Sequence, residues 1–235
     1  MAAPLVRRFR ALPRLLFPPR CALCDEPCAG IDLCHGCRGD LPWPGPACRA
    51  CGERVASGER RCPHCRRRPP SMADTRVALR YEFPADWLVT ELKFSARLWH
   101  GPLLAVLIAE ALEQRPIPDL TDAVLVPVPL HRRRQTVRGY NQAVEIARPL
   151  SRRIDCRLDT ALLVRERATR EQSSLSARER RRNVAGAFRL RRSPDFEHGI
   201  VVDDVVTTGA TSREVARLLR DAGCRRVSVL AAARA

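Results

Sequence analysis

The sequence has almost no lysine, few aromatic residues and no long apolar run. Lys93 is its one lysine, although lysine and arginine together number 42 against 26 acidic residues. No stretch approaches the roughly 20 consecutive apolar residues that cross a bilayer, so we expect no membrane span. Aromatic residues make up 5% of the chain, which disfavours a protein that binds single strands mainly by base stacking.

The sequence also lacks a secretory start. Residues 1–20 carry five arginines and four prolines, which leave no room for a signal-peptide core. We therefore expect a cytoplasmic protein, in which eleven cysteines point to metal binding rather than to disulfides. The apolar residues of this basic segment fall at helical spacing and predict a short amphipathic helix, carried by Leu5, Phe9, Leu12 and Leu16.

The charge balance is the strongest compositional signal. A net charge of +16 favours polyanionic partners, with nucleic acid first and phosphorylated small molecules second. A GC-rich genome would explain why arginine replaces lysine, but it would not explain the excess of base over acid.

Cysteine usage divides the chain. Nine of the eleven cysteines fall between Cys21 and Cys65, and a linker rich in arginine and proline follows over residues 66–74. From residue 75 onward, strand and helix patterns alternate, which is typical of a parallel sheet flanked by helices. We predict a basic segment at 1–20, a double zinc ribbon at 21–68 and an α/β domain at 75–235. The predicted strands are Arg76–Phe83, Ala123–Val128, Ile200–Val202 and Arg226–Ala232; the predicted helices are Pro102–Glu113, Asn141–Arg153 and Thr211–Ala222.

Four regular cysteine pairs predict two structural Zn²⁺ sites. In each pair a two-residue spacer allows both thiolates to face one metal ion, and the segment has too little apolar sequence to fold without metal. Two sequential tetrads are the simplest partition, and a cross-braced partition satisfies the same spacing. Cys28, His35 and His64 are spare potential ligands. The predicted zinc ligands are Cys21, Cys24, Cys34, Cys37, Cys48, Cys51, Cys62 and Cys65.

The sharpest motif is an apolar strand that runs into Asp203 and Asp204 and then into the Thr/Gly-rich turn 207–211. A turn of this kind at a helix N-terminus can direct backbone N–H groups and hydroxyls at one phosphate. The two carboxylates would repel that phosphate but would accept hydrogen bonds from a cis-diol. The motif therefore predicts a ligand with both a sugar and a phosphate.

This motif resembles the phosphoribosyl pyrophosphate loop of type I phosphoribosyltransferases. The resemblance implies that the candidate catalytic residues Asp203 and Asp204 hold the ribose hydroxyls and that Mg²⁺ accompanies the ligand. It also implies a pyrophosphate loop after the strand that ends near Pro127, where Pro127 and Pro129 have no N–H. The 5′-phosphate would lie on Thr207, Thr208, Gly209, Ala210 and Thr211; the pyrophosphate would lie on the amides of Val128 and Leu130 and on arginines from the set Arg132, Arg133, Arg134 and Arg138, with Arg132 and Arg138 named as binding residues.

Three further segments resemble the ComF family of competence-associated, phosphoribosyltransferase-like proteins, which includes the GntX type. They are Leu15–Cys21, Arg138–Gln142 and the spaced pattern from Arg165 to Asn183. From Arg165 to Arg192 there are ten arginines against three glutamates. We expect this stretch to form a lid over the site, with Gln172, Ser173 and Ser174 at its tip. A binding strip for single-stranded nucleic acid and a solvated helix face are the alternatives.

Three functions compete at this stage. The first is a phosphoribosyltransferase that acts on phosphoribosyl pyrophosphate with an unknown acceptor. The second is a single-stranded DNA-binding factor in DNA uptake, whose partners would include competence helicases or DNA-processing proteins. The third is a catalytically dead adaptor, which the intact acidic pair and Thr-Thr-Gly-Ala-Thr turn disfavour.

Overall fold

The computed structural model describes residues 19–120, 122–168 and 177–235. The chain divides into two compact units, Met1–Leu41 and Pro42–Ala235. The boundary between them falls inside the predicted double ribbon, between its second and third cysteine pairs. The predicted amphipathic helix of the N-terminal segment lies outside the described residues.

The first unit is a small cysteine-rich module. Helix α1 (His35–Gly39) begins after Cys34, whose sulfur accepts a hydrogen bond from the Cys37 N–H at 3.4 Å. Leu33 and Leu41 are buried, but two leucines do not make a core that could fold so short a module by itself. The cysteine cluster of this unit must therefore provide much of its stability.

A five-stranded parallel sheet forms the core of the second unit. The described part of this unit has seven strands, five in this sheet and two in a hairpin. In chain order they are β1 (Asp74–Arg80), β2 (Ala123–Pro127), β3 (Arg157–Leu158), β4 (Leu163–Arg165), β5 (Phe188–Leu190), β6 (His198–Val206) and β7 (Arg226–Arg234). The sheet order is β1-β7-β6-β2-β3, and β4 pairs with β5 in a separate antiparallel hairpin. All pairings within the large sheet are parallel, which confirms the predicted α/β fold class.

The helices described in this unit are α2 (Pro63–Arg67), α3 (Ala85–Phe94), α4 (His100–Gln114), α5 (Arg132–Arg138), α6 (Gln142–Arg153), α7 (Ala177–Val184) and α8 (Ala210–Asp221). Of these, α3, α4, α6 and α8 pack on the large sheet. Because side chains alternate along a strand, Val126 and Val201 join Val215 of α8 in one buried cluster. Leu125 and Ile200 are fully buried on the opposite face of the sheet, and α4 and α6 pack against each other and against the sheet. Among the described helices, none is long and apolar enough to cross a membrane.

The structure extends several predicted elements. β6 does not end at Val202 but continues through both aspartates to Val206, because its pairing with β7 runs as far as Val206 and Arg234. Two helices near the sheet, α3 and α5, are absent from the predicted set. α5 contains six polar or charged residues among its seven, so it has no apolar period. α3 does place four buried apolar residues at helical spacing, Ala85, Leu88, Val89 and Leu92, and the sequence prediction missed this pattern.

The second cysteine ribbon covers the outer edge of β1. The Thr75 N–H donates to the Arg49 carbonyl at 2.7 Å, and the Arg80 N–H donates to the Pro42 carbonyl at 2.8 Å. Gly52 has a φ of +74°, and a Cβ there would lie 3.2 Å from Thr75 Cγ2. The ribbon thus pairs with an edge strand whose backbone would otherwise be open.

Candidate functional site

A cavity of about 340 Å³ opens at the carboxyl ends of β2 and β6. The chain leaves β2 toward β3 at one edge of the sheet and leaves β6 toward β7 on the other side. These two connections diverge, and in open α/β sheets ligands bind in the crevice formed at such a point. Both aspartates, most of the Thr/Gly-rich turn and the residues after β2 line this cavity.

Asp203 and Asp204 are both buried, at 9% and 4% exposure, and backbone amides fix their orientation. Asp203 Oδ1 accepts the Asp204 N–H at 2.9 Å, and Asp204 Oδ1 accepts the Val205 N–H at 2.7 Å. Although they are consecutive strand residues, both side chains line the same cavity and their carboxylates interact with each other. Burial, together with the neighbouring charge of Asp204, raises the pKa of Asp203 well above its usual range.

Lys93 provides the counter-charge of this acidic pair. It lies in the last turn of α3, and its Nζ is 2.9 Å from Asp204 Oδ2. Burial alone would lower the pKa of Lys93, but the carboxylates of Asp204 and Asp203 outweigh this effect, so the pKa is raised. The acidic pair and Lys93 therefore form one charge cluster at the wall of the cavity.

The Thr/Gly-rich turn lies between β6 and the start of α8. Thr207, Gly209, Ala210 and Thr211 line the cavity, whereas Thr208 does not. Gly209 precedes α8 with a φ of +69°, a conformation that glycine adopts without strain. The guanidinium of Arg213 donates to the Thr208 carbonyl. Thr208 Oγ1 is buried and has no hydrogen-bond partner in the described part of the chain, so a polar donor and acceptor is unused beside the N-terminus of α8.

The segment after β2 corrects one sequence prediction. The Val128 N–H donates to the Val202 carbonyl at 2.9 Å, so it extends the sheet and is not available to a ligand. Leu130 lines the cavity, which leaves its amide as the backbone donor of the predicted pair. Of the arginines that follow, Arg134 and Arg138 line the cavity, whereas Arg132 is exposed and lies outside it.

The Arg-Gly-Tyr-Asn-Gln segment joins three walls of the cavity. Asn141 Nδ2 donates to the Val128 carbonyl at 3.0 Å, while its Oδ1 accepts the Ala143 N–H at the start of α6. The Tyr140 hydroxyl donates to the Leu92 carbonyl in α3. Arg138 donates to Gln142 Oε1 at 2.6 Å, and its guanidinium lies 5.3 Å from the centre of the Phe94 ring. The segment therefore fixes the loop after β2 relative to the helix that carries Lys93.

The arginine-rich stretch from 165 to 192 is described at its two ends. Arg165, at the end of β4, is buried, lines the cavity and lies over the Phe188 ring at 5.3 Å. Burial lowers its pKa, as does the charge of Arg134, and the charge of Asp203 opposes both effects. The predicted lid tip at Gln172, Ser173 and Ser174 lies outside the described residues.

The cysteines form two sequential tetrads, and each fits a structural zinc ion. The groups are Cys21, Cys24, Cys34 and Cys37, and Cys48, Cys51, Cys62 and Cys65. In each group all four sulfurs lie within 4.8 Å of one another. The Cys24–Cys34 and Cys51–Cys62 sulfur distances are 3.6 and 3.8 Å, close to the edge of about 3.8 Å that four Zn–S bonds of about 2.3 Å would give. Cys28, His35 and His64 lie outside both groups.

Comparison with known proteins extends over most of the chain. Residues 12–68 match the double zinc ribbon domain, and residues 141–235 match the phosphoribosyl transferase domain. The DNA utilization protein YhgH of Escherichia coli K12 is 36% identical over 223 residues, which cover 92% of this chain and 96% of that protein. Competence protein F of Haemophilus influenzae is 33% identical over 212 residues, with 86% and 90% covered. The chain belongs to the ComF family.

Two cavity residues of this ComF-family protein were given no individual role from the sequence: Lys93 and Arg165. Lys93 had a compositional signal, because it is the one lysine among 42 basic residues. Arg165 had no signal beyond its place at the start of the predicted lid, since arginines are frequent along the whole chain. Its burial and its approach to the acidic pair depend on the β4–β5 hairpin, which the sequence pattern did not reveal.

Proposed function

We propose that this ComF-family protein binds phosphoribosyl pyrophosphate with Mg²⁺ in the cavity and transfers the phosphoribosyl group to an acceptor. The supporting observation is that the acidic pair and the Thr/Gly-rich turn meet in one cavity. A ligand that carries a cis-diol and a phosphate at opposite ends of a sugar satisfies both groups, whereas a phosphate alone would be repelled by the carboxylates.

Different residues of the cavity bind different parts of the ligand. Asp203 and Asp204 accept hydrogen bonds from the ribose hydroxyls, and Thr207–Thr211 surrounds the 5′-phosphate at the N-terminus of α8. The unused Thr208 Oγ1 is a further donor for that phosphate once the turn adjusts. The pyrophosphate lies toward the Leu130 amide and cavity arginines, whose charges suit its oxygens: Arg134, Arg138 and Arg165.

The reaction is a displacement at C1 of the ribose. The bond from C1 to the pyrophosphate oxygen breaks and its electron pair leaves with pyrophosphate. A bond then forms from C1 to the acceptor nucleophile, whose proton passes to solvent. Mg²⁺, bound chiefly by ligand oxygens, would neutralise the leaving group, and the protein contributes position and fixed charge.

Calorimetric titration of phosphoribosyl pyrophosphate and Mg²⁺ into the zinc-loaded protein tests the proposal. We expect micromolar affinity that is lost in Asp203→Asn/Asp204→Asn. Asp195→Asn/Asp221→Asn is the matched control, because it makes the same two substitutions at exposed aspartates outside the cavity and should bind normally. Failure of the wild type to bind would overturn the proposal and leave nucleic-acid binding or an adaptor role as the remaining functions.

A second function, binding of single-stranded DNA in the cytoplasm beside competence helicases or DNA-processing proteins, is favoured by one observation. The second ribbon exposes six arginines on one small module, Arg54, Arg60, Arg61, Arg66, Arg67 and Arg68. Such a density of exposed cations matches a phosphate backbone, and it lies outside the cavity. The two functions can therefore coexist in one chain.

A further inference from the structure

Lys93 is exceptional in both composition and location. It is the one lysine of a chain in which every other basic side chain, apart from the five histidines, is arginine. Its ammonium is 2.9 Å from Asp204 Oδ2, and 21% of its side chain remains exposed, at the cavity. The one position that has lysine instead of arginine, residue 93, thus faces the acidic pair.

The helix that carries Lys93 is fixed at this end. Leu88, Val89 and Leu92 of α3 are fully buried, and the Leu92 carbonyl accepts the Tyr140 hydroxyl. The residue before Lys93 is therefore tied to the same segment that supports the loop after β2. Because its backbone is held, the ammonium has little freedom to leave Asp204.

Each oxygen of the Asp204 carboxylate has one close polar contact. Oδ1 accepts the Val205 N–H at 2.7 Å, and Oδ2 lies against Lys93. A compact ammonium occupies one side of Oδ2, whereas the planar fork of a guanidinium would seek both oxygens and compete with the Val205 N–H. Oδ2 is buried and has no hydrogen-bond partner in the described part of the chain, so beside lysine it keeps an unused acceptor for a ligand hydroxyl.

We infer that Lys93 is a positioning residue, which orients the Asp204 carboxylate so that it accepts a hydroxyl of the bound sugar. This inference rests on the proposed sugar-phosphate site. The titratable and charged groups that act on Lys93 are Asp204 and Asp203 from β6 and Tyr81 from the segment after β1, and Arg165 acts on Asp203 from the β4–β5 hairpin.

The single lysine allows a direct test that needs no ligand. The protein is expressed with ¹³C-labelled lysine and with a purification tag that contains no lysine. Its NMR spectrum then has one labelled Cε resonance, that of Lys93. We expect its titration midpoint to lie above the ordinary lysine value of about 10.4 in the wild type and to fall in Asp204→Asn, which has lost the counter-charge. An unchanged midpoint in Asp204→Asn would overturn the inference whether or not the protein binds phosphoribosyl pyrophosphate.

Ligand affinity provides the second test. Lys93→Met is expected to weaken binding of phosphoribosyl pyrophosphate by about 10- to 100-fold, as for other outer partners that orient a binding group, and to shift the pH profile of affinity toward higher pH. Lys93→Arg should recover part of the affinity. Arg97→Met, which breaks the Arg97–Glu91 ion pair outside the cavity, is the control and should change neither.

The outcomes separate the two proposals. A wild type that binds phosphoribosyl pyrophosphate and a Lys93→Met variant with the same affinity and pH profile would overturn the role of Lys93 and leave the proposed function intact. A wild type that does not bind would overturn the proposed function, and the Cε titration would then decide the Lys93–Asp204 coupling on its own.

Discussion

Asp203 and Asp204 are adjacent, but their carboxylates have different charged neighbours in the folded protein. Both side chains are buried, but Lys93 contacts Asp204, whereas the strongest charge that acts on Asp203 is the carboxylate of Asp204. Ionisation of Asp203 therefore opposes folding, while the Asp204 carboxylate is paired with Lys93. The ligand-free protein therefore bears the cost of burying Asp203 beside Asp204, and a ligand that binds both residues meets a site that is already formed.

Asp203→Asn is expected to stabilise the ligand-free protein at neutral pH. The raised pKa of Asp203 means that the unfolded chain releases this proton near pH 4 while the folded chain keeps it, so the wild type loses stability as pH rises above about 4 until the folded pKa is passed. The asparagine variant avoids this loss. Scanning calorimetry should show a gain in melting temperature that is larger at pH 7.5 than at pH 4.5, at about 2–4 °C per kcal/mol relieved.

Asp204→Asn is the matched comparison and should have the opposite sign. It leaves Lys93 as a largely buried cation without its ion-pair partner, at a cost of roughly 1–3 kcal/mol once solvent in the cavity and the nearby Asp203 are allowed for. A fall in melting temperature for Asp203→Asn at pH 7.5, or a gain that does not vary with pH, would contradict the assignment of strain to Asp203.

Residues with a local signal were predictable, and those whose role depends on tertiary contacts were not. Asp203 and the Thr/Gly-rich turn are contiguous, so their pattern indicates a phosphate site without a structure. The Val128 amide was assigned to a ligand because the extent of β2 and β6 pairing cannot be derived from an apolar run. Lys93 reaches Asp204 from a helix more than a hundred residues earlier in the chain, and no local pattern encodes that distance.

At the scale of elements, the second ribbon acts as an extension of the sheet. Asp74 of β1 is fully buried and is paired with Arg49 of the ribbon, with Arg76 of its own strand and with Arg226 of β7. These partners lower the pKa of Asp74 despite its burial. Thr75 Oγ1 also donates to the Ala50 carbonyl at 2.8 Å, so ribbon and sheet share both ionic and backbone contacts.

Loss of the second zinc site should therefore destabilise the sheet domain. Cys48→Ser/Cys51→Ser is expected to remove one zinc ion and to lower the melting temperature of the Pro42–Ala235 unit by roughly 5–10 °C, because Asp74 loses one of three partners and β1 loses its edge cover. Metal analysis and scanning calorimetry provide the two readouts.

His64→Ala is the control for this prediction. His64 lies in α2 of the same ribbon but is exposed and outside the tetrad, so zinc content and melting temperature should be unchanged. Equal melting temperatures for the wild type and the zinc-site variant would show that the ribbon contacts do not stabilise the sheet.

Elements with a strong period were predicted well. The buried strands β2, β6 and β7 and the helices α4, α6 and α8 follow from apolar patterning alone, with ends displaced by a few residues. The hairpin of β4 and β5 was not predicted, because each strand has three residues and lies within a charge-rich stretch. The cysteine spacing left two partitions of the tetrads open, and the structure shows the sequential one.

At the scale of the whole molecule, the net charge of +16 is a long-range attraction for any polyanion, so affinity for DNA alone would not identify a binding surface. The ribbon surface, defined here as Arg54, Arg60, Arg61, Arg66, Arg67 and Arg68, is a specific candidate. Arg66 is paired with Glu59 at 3.0 Å, and Arg60, Arg61 and Arg67 are exposed beside it. A surface that contacts phosphates differs from general attraction in its salt dependence, since each released counterion contributes to the slope.

Arg60→Gln/Arg61→Gln/Arg67→Gln is expected to weaken binding of a single-stranded oligonucleotide and to reduce the slope of log affinity against log salt by about 2, at about 0.7 per phosphate contact. Arg148→Gln/Arg152→Gln/Arg153→Gln removes the same charge from the exposed face of α6 and should leave that slope almost unchanged. Fluorescence anisotropy between 50 and 200 mM salt, roughly the range over which such contacts are lost, measures both.

Equal effects of the two variants would assign binding to net charge and reject the ribbon surface. A loss confined to the ribbon variant, with normal binding by Asp203→Asn/Asp204→Asn, would separate the DNA surface from the sugar-phosphate cavity within one chain.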